Sequence, residues 1–251
     1  NHHLAHACAT FYSSGFEKAA VLVIDGRGTD QETQSLFIAD DSGINLVSST
    51  NKIGIGLLYS AVTQAVGFKL LQEGKTMGLA PFGAAVQPPV FHFERNFNGI
   101  ETDYSSSCVL GSYDMGVTYR KLDSFEDKAR AAFDVQLECE AAMDHLALYA
   151  KEVTGMDYLC ISGGVALNSV ANYKILKKGI FKDVFVNPAA SDTGIPLGVA
   201  LFGLHNILGI NRDYKGISPF TGPSYTNKDI ESAINSFKGY NVVQENAVDL
   251  A

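Results

Sequence analysis

An α/β fold, a mixed sheet with helices packed against it, follows from three features of this sequence. Residues 19–50 hold three apolar runs rich in β-branched residues, joined by short turns. Residues 156–209 repeat a strand–helix unit twice, and residues 123–155 between them read as one long helix. The first feature predicts antiparallel strands, the second adds parallel strands, and the third supplies a helix to cover the sheet.

The elements follow in order. Residues 4–14 are expected to be helical, ending near Gly15. AAVLVIDG (19–26) is a buried strand closing on an Asp-Gly turn. QSLFIAD (34–40) and INLVSST (44–50) extend it, separated by DDSG (40–43), a hairpin turn. GIGLLYSAVTQAVGF (54–68) has apolar residues at helical spacing and stops at a glycine, while EGKTMGLAPFG (73–83) reads as a glycine-punctuated loop or a short helix. From Gly83 to about Leu122 the pattern is least regular, and hairpins or an inserted cap are expected there.

In the long helix, Asp123 or Ser124 is the cap, Glu126 and Asp127 suit the positive end, and Gly155 stops it. Its stripe Phe125, Ala129, Ala132, Phe133, Leu137, Ala141 and Leu146 is expected to face the sheet. MDYLCISGG (156–164) and DVFVNP (183–188) are strands, followed by helices in 165–179 and 193–209. This order fits the half-domain plan of the ribonuclease H-like fold, which actin-like ATPases and sugar kinases use twice, and other three-layer α/β plans share it.

Bulk composition narrows the function. The chain has 251 residues, 46% hydrophobic and 18% charged, with 24 glycines. A net charge of −8 with no clustered Lys and Arg argues against sequence-independent nucleic-acid binding. No apolar run approaches the roughly 18 residues of a membrane span, and no signal peptide is visible. Cys8, Cys108, Cys139 and Cys160 form no CxxC pair, so a reducing cytoplasm is the expected setting. The start at Asn1 implies that upstream sequence is missing and that the chain is a fragment.

Several residues are candidates for chemistry. NHHLAHA, residues 1–7, is too interrupted to be a purification tag. On a helix His2 and His6 stand at i and i+4 with Cβ atoms about 6 Å apart, a spacing that lets two imidazoles grip one ion. His3 points about 100° away. A polar helix face is the plain alternative. Asp25 ends a strand beside Gly26 and Gly28, both free to take φ > 0, where a metal or a phosphate can bind. Gly163 and Gly164 open a helix, aiming unsatisfied N–H groups at an incoming anion, and Asn168 one turn later can reach a ligand. Asp192 precedes another helix, where it either faces a ligand or caps that helix. Lys75 is compatible with a nucleotide or acyl donor. No Ser-His-Asp set is evident. His2, His6, Asp25 and Asp192 together make a mixed nitrogen and oxygen set that suits iron, manganese, zinc or cobalt.

HHLAHA followed by AAVLVIDGRG, LQEGKTMGLAPFG, SGGVALN and NPAASDTG resembles the O-carbamoyltransferases of nodulation-factor and antibiotic tailoring, over residues 1 to about 205. Their transfer domain is similar to the tRNA threonylcarbamoyl-transfer proteins, with two ribonuclease H-like lobes. The resemblance implies that His2, His6, Asp25 and Asp192 hold a divalent metal: iron first, with manganese or zinc as alternatives. It puts Gly26, Gly28, Gly163, Gly164, Asn168 and Asp192 on the side of ATP or carbamoyl-adenylate. It implies transfer of a carbamoyl group, made available from carbamoyl phosphate and ATP, to a hydroxyl of a small-molecule acceptor. Catalytic residues are not assigned.

The resemblance further divides the chain. Residues 1–18 become a metal-ligand helix at the lobe junction, 19–215 the second lobe with an irregular insertion at 84–122, and 216–251 the connection to a truncated C-terminal domain. The first lobe and the adenylate-forming domain are then absent partners. The isolated fragment is expected to be inactive and to bind nucleotide poorly, and its bare lobe face to favour a homo-oligomer. The rival readings are a tRNA-modifying relative and a non-catalytic ligand-binding module.

Overall fold

A computed structural model describes residues 1–107, 122–237 and 239. The chain divides into two compact units, Asn1–Ile217 and Ser218–Ala251. In the first, helix α1 (His2–Ser14) is followed by strands β1 (Ala19–Ile24), β2 (Gln34–Asp40) and β3 (Gly43–Thr50). Helices α2 (Ile55–Ala65) and α3 (Glu73–Leu79) lead to a small ribbon, β4 (Asn96–Asn98) and β5 (Glu101–Asp103). Then come the long helix α4 (Phe125–Thr154), strand β6 (Tyr158–Ser162), helix α5 (Ser169–Lys178), strand β7 (Asp183–Val186) and helix α6 (Ile195–Phe202). The second unit carries α7 (Asn227–Ser236), capped by Thr226 and Asp229 in a reciprocal capping box. Among the described residues no helix is long and apolar enough to cross a membrane.

Five strands form one mixed sheet in the order β3-β2-β1-β6-β7. β1 pairs antiparallel with β2, and β2 with β3, while β1–β6 and β6–β7 are parallel. The expected hairpins and the two added βα units are both present. β1 is buried along its whole length because both faces of the sheet are covered. Its side chains alternate as strand geometry requires. Ala19, Val21 and Val23 join Ala7, Cys8 and Phe11 of α1 and Leu201 of α6 in one core. Ala20, Leu22 and Ile24 join Leu58 of α2, Val135, Met143 and Leu146 of α4, and Ile175 of α5 in the other. Each large apolar side chain so buried contributes about 1.5–3 kcal/mol.

Two glycines set how closely the helices approach. A Cβ at Gly198 of α6 would lie 1.9 Å from the carbonyl oxygen of Ala5, so α6 packs backbone to backbone on α1. A Cβ at Gly83, in the tight turn after α3, would lie 2.0 Å from the Ala129 carbonyl oxygen of α4.

Helix α4 is bounded as its sequence predicts: Ser124 accepts from the Asp127 N–H, and Gly155 ends the helix at φ 63°. Its buried stripe matches the expected one only at Ala129, Ala132 and Leu146. Leu137 is 44% exposed and Phe125 58% exposed, whereas Ala132, Val135, Cys139, Ala142, Met143, Leu146 and Ala150 are buried. Alanine is the commonest residue on the buried face, while Phe125, Leu137, Leu148 and Val153 are exposed, so apolar spacing alone does not set the phase. The chosen stripe follows the bulky residues, and two of those are exposed. Buried polar groups settle the orientation instead. Arg130 Nε donates to Asp134 Oδ1 at 2.7 Å, and Asp134 Oδ2 accepts from the N–H groups of Val90 and Phe91. This pair fastens the irregular segment after Gly83 to the helix. Of the expected hairpins in that region β4–β5 is one. Residues 108–121, including Cys108, lie outside the described residues.

Candidate metal centre

Helix α1 begins at the first histidine because Asn1 caps it, its Oδ1 accepting from the Leu4 N–H at 3.0 Å. His2 and His6 therefore sit one turn apart on one face, with Nε2 atoms 3.2 Å from each other. Asp25 follows the last residue of β1, and its Oδ2 is 3.0 Å from His2 Nε2 and 3.4 Å from His6 Nε2. Asp192 opens the turn before α6, and its Oδ1 is 3.3 Å from His2 Nε2 and 3.4 Å from His6 Nε2. The four ligating atoms all lie within 4.8 Å of one another.

These separations fit a metal. With bonds of about 2.1 Å, neighbouring ligand atoms stand about 3.0 Å apart in an octahedral arrangement and about 3.4 Å in a tetrahedral one. The observed contacts of 3.0–3.4 Å span that interval. The polar-face reading of the histidines fails, since His6 is fully buried. Asp192 is not a helix cap: the residue at the cap of α6 is Gly194, and no side chain fills that place. Its side chain remains 75% exposed, so the cluster is open to solvent on that side.

Asp25 is held from behind. Its Oδ1 accepts from the Gly164 N–H at 3.0 Å. Burial alone would raise its pKa, but hydrogen bonding from the His6 ring and the N–H groups of Gly164 and Gly26 outweighs it. The carboxyl stays well below the usual carboxylate range. His3 faces away from the cluster, as its position one residue on requires, and its Nδ1 bonds Ser35 Oγ at 2.7 Å. Burial lowers the His3 pKa to about 4.

The glycines and Asn168 differ from expectation. Gly26 and Gly28 do not take positive φ; Gln31 does, at 65°. The Gly26 N–H serves Asp25, and the Gly28 N–H donates to the Glu32 carbonyl at 2.7 Å. The Gly163 N–H donates to the Ala190 carbonyl at 2.9 Å, and the Gly164 N–H is taken by Asp25. Neither is free for an incoming anion: the carboxylate of the protein itself already fills the place. Gly163 is required for another reason. Its φ is 91°, and a Cβ there would lie 2.3 Å from the Ile24 carbonyl oxygen.

Asn168 stands at the cap of α5, not one turn inside it, with its Oδ1 accepting from the Ala171 N–H. Its carboxamide also exchanges two hydrogen bonds with Gln136, at 2.9 and 3.2 Å, so it faces α4. Lys75 is an exposed residue of α3, 5.8 Å from the Phe68 ring centre. One residue of the site was passed over. Ser162, the last residue of β6, places its Oγ 3.3 Å from His6 Nδ1. Its position at a strand end before Gly-Gly was the available signal.

Residues 1–201 match the family model described as Carbamoyltransferase N-terminus. Nodulation protein NolNO of Sinorhizobium fredii is 35% identical over 218 residues, which are 83% of this chain and 31% of NolNO. Nodulation protein NolO of Bradyrhizobium diazoefficiens is 34% identical over 214 residues, 80% of this chain and 37% of NolO. The chain thus spans about a third of the length of these curated relatives. Full-length HypF, in its phosphate- and nucleotide-bound form, superposes at a TM-score of 0.49 with 14% identity, over 82% of this chain and 42% of HypF. That likeness is too distant to fix the fold.

Proposed function

This chain belongs to the carbamoyltransferase N-terminus family, and we propose that it forms the metal-holding part of an enzyme that moves a carbamoyl group from carbamoyl-adenylate to a small-molecule hydroxyl. Carbamoyl phosphate and ATP are the sources of that adenylate. The observation that carries the reading is the convergence of His2, His6, Asp25 and Asp192 within 4.8 Å, from three separate parts of the chain. These four residues would hold a divalent ion, iron first, which would supply positive charge where the donor's oxygens become more negative.

The residues of the chain have distinct tasks in this reading. Helix α1 holds both imidazoles in a rigid, packed frame. Asp25, kept ionised by its N–H partners, fixes the inner side of the cluster, and Asp192 closes it from the solvent side. Gly164 is exposed and bears no side chain, so it leaves bare surface beside Asp25 for a nucleotide to approach. In the transfer itself the acceptor oxygen bonds to the carbonyl carbon as the bond to the adenylate phosphate oxygen breaks. AMP leaves with that electron pair, and the proton of the acceptor hydroxyl is released to solvent.

The strand order supports reading 19–215, with its insertion at 84–122, as one ribonuclease H-like lobe. Residues 1–18 are then the helix at the lobe junction, and 216–251 the connection onward. A facing lobe would supply the opposing phosphate contacts. Metal analysis of the full-length protein tests the proposal. His6→Ala and Asp192→Ala should each lose stoichiometric metal while keeping the wild-type circular dichroism spectrum. Full metal content in both variants would overturn the assignment.

A further inference from the structure

We infer that Ser162 is a positioning residue for this centre, whose hydroxyl oxygen accepts from the Nδ1–H that His6 keeps when its Nε2 is bonded to a metal. The inference rests on the metal reading above. Ser162 is 1% exposed, and its Oγ lies 3.3 Å from His6 Nδ1 and 3.3 Å from the Ala190 carbonyl oxygen. An imidazole bonded to a metal through Nε2 has its one N–H on Nδ1, and a hydroxyl offers both a proton and lone pairs. Ser162 then accepts from His6 and gives its own proton to the Ala190 carbonyl, which only accepts.

His6 is fully buried, so water does not stand in for Ser162. The Ala190 carbonyl also accepts from the Gly163 N–H at 2.9 Å, which holds it in place. Ser162 reaches α1 because β6 runs parallel to β1 with Val23 beside Ser162. It shares a sheet face with Cys160, which packs in the α1 core. Without the hydroxyl, His6 either buries an unpaired Nδ1–H or takes the tautomer whose hydrogen covers the ligating nitrogen. Loss of such an outer partner typically weakens metal binding 10–100-fold.

Two measurements on the full-length protein test this. Long-range proton–nitrogen correlation spectra of the histidine-labelled, Zn2+-loaded protein should show His6 with its hydrogen on Nδ1, in a hydrogen bond that Ser162→Ala loses. Titration with Co2+ should show Ser162→Ala binding about 10–100-fold more weakly than wild type, with an altered visible absorption band. A wild-type His6 carrying its hydrogen on Nε2 overturns the inference, as does unchanged Co2+ affinity in Ser162→Ala. If wild type itself binds neither Co2+ nor Zn2+, the metal reading falls; metal binding that Ser162→Ala leaves unchanged overturns the role of Ser162 alone.

Discussion

The backbone N–H of Gly164 donates to Asp25 Oδ1 at 3.0 Å, so the turn after β6 clamps the carboxylate that follows β1. The two strands are parallel neighbours, and their carboxyl ends therefore lie side by side. An open α/β sheet builds its sites at such ends. Here the clamp leaves Asp25 Oδ2 turned toward the histidines.

Gly163→Ala should test how tight this crossing is. The new methyl would meet the Ile24 carbonyl oxygen at 2.3 Å, on a backbone at φ 91°. A stability loss of about 2–4 kcal/mol is expected from strain and overpacking. Urea unfolding measures it, and a loss under about 1 kcal/mol would show that the crossing yields easily.

The two carboxylates should behave differently when removed. Asp25→Ala removes a buried carboxylate and leaves the Gly164 N–H without its protein acceptor, which costs about 1 kcal/mol as well as metal affinity. Asp192→Ala, at an exposed side chain, should weaken metal binding with a stability change within about 0.5 kcal/mol. Parallel metal titration and thermal unfolding separate the two. Equal destabilisation by both would contradict the roles given to them.

Helix α4 offers a test of packing phase. Met143 is fully buried and Leu137 is 44% exposed. Met143→Ala should cost about 2–5 kcal/mol, and Leu137→Ala less than about 1 kcal/mol. The reverse ranking in denaturant unfolding would mean that the helix is turned.

Alkaline pH should destabilise the protein through its buried thiols. Burial pushes Cys139 and Cys160 from an ordinary 9.0 up to about 12. Between those values the unfolded chain has lost the proton and the folded chain keeps it, so stability present below pH 9 falls as pH rises. The buried phenols of Tyr59 and Tyr104, raised by the same cause, act in the same direction. Unfolding midpoints should drop more steeply above pH 9 in wild type than in a Cys139→Ala, Cys160→Ala double variant. At pH 8 both thiols should resist alkylation in peptide-resolved mass spectrometry until the protein unfolds, and rapid native labelling would refute their burial.

Much of the architecture was legible in local pattern. The three apolar runs, the Ser124 cap and Gly155 stop, and the i,i+4 histidines each depend on residues a few positions apart. Strand alternation and helical spacing are properties of such short stretches. They put His2 and His6 on one face and Asp25 at a strand end without reference to the rest of the chain.

Tertiary structure alone decided which atoms meet and which are already engaged. Asp192 reaches the histidines because α6 presses on α1 at Gly198, a contact between residues far apart in sequence. The N–H groups expected to be free at Gly163 and Gly164 are taken by Ala190, after β7, and Asp25, after β1, and Asn168 is turned toward Gln136 of α4. The phase of α4 rested on Arg130 and Asp134 holding another segment, which no apolar count registers. Periodicity shows which way a side chain points from its own backbone. What waits there is set by close approaches between distant segments, and these depend on where a missing Cβ leaves room and where a buried polar group finds its partner.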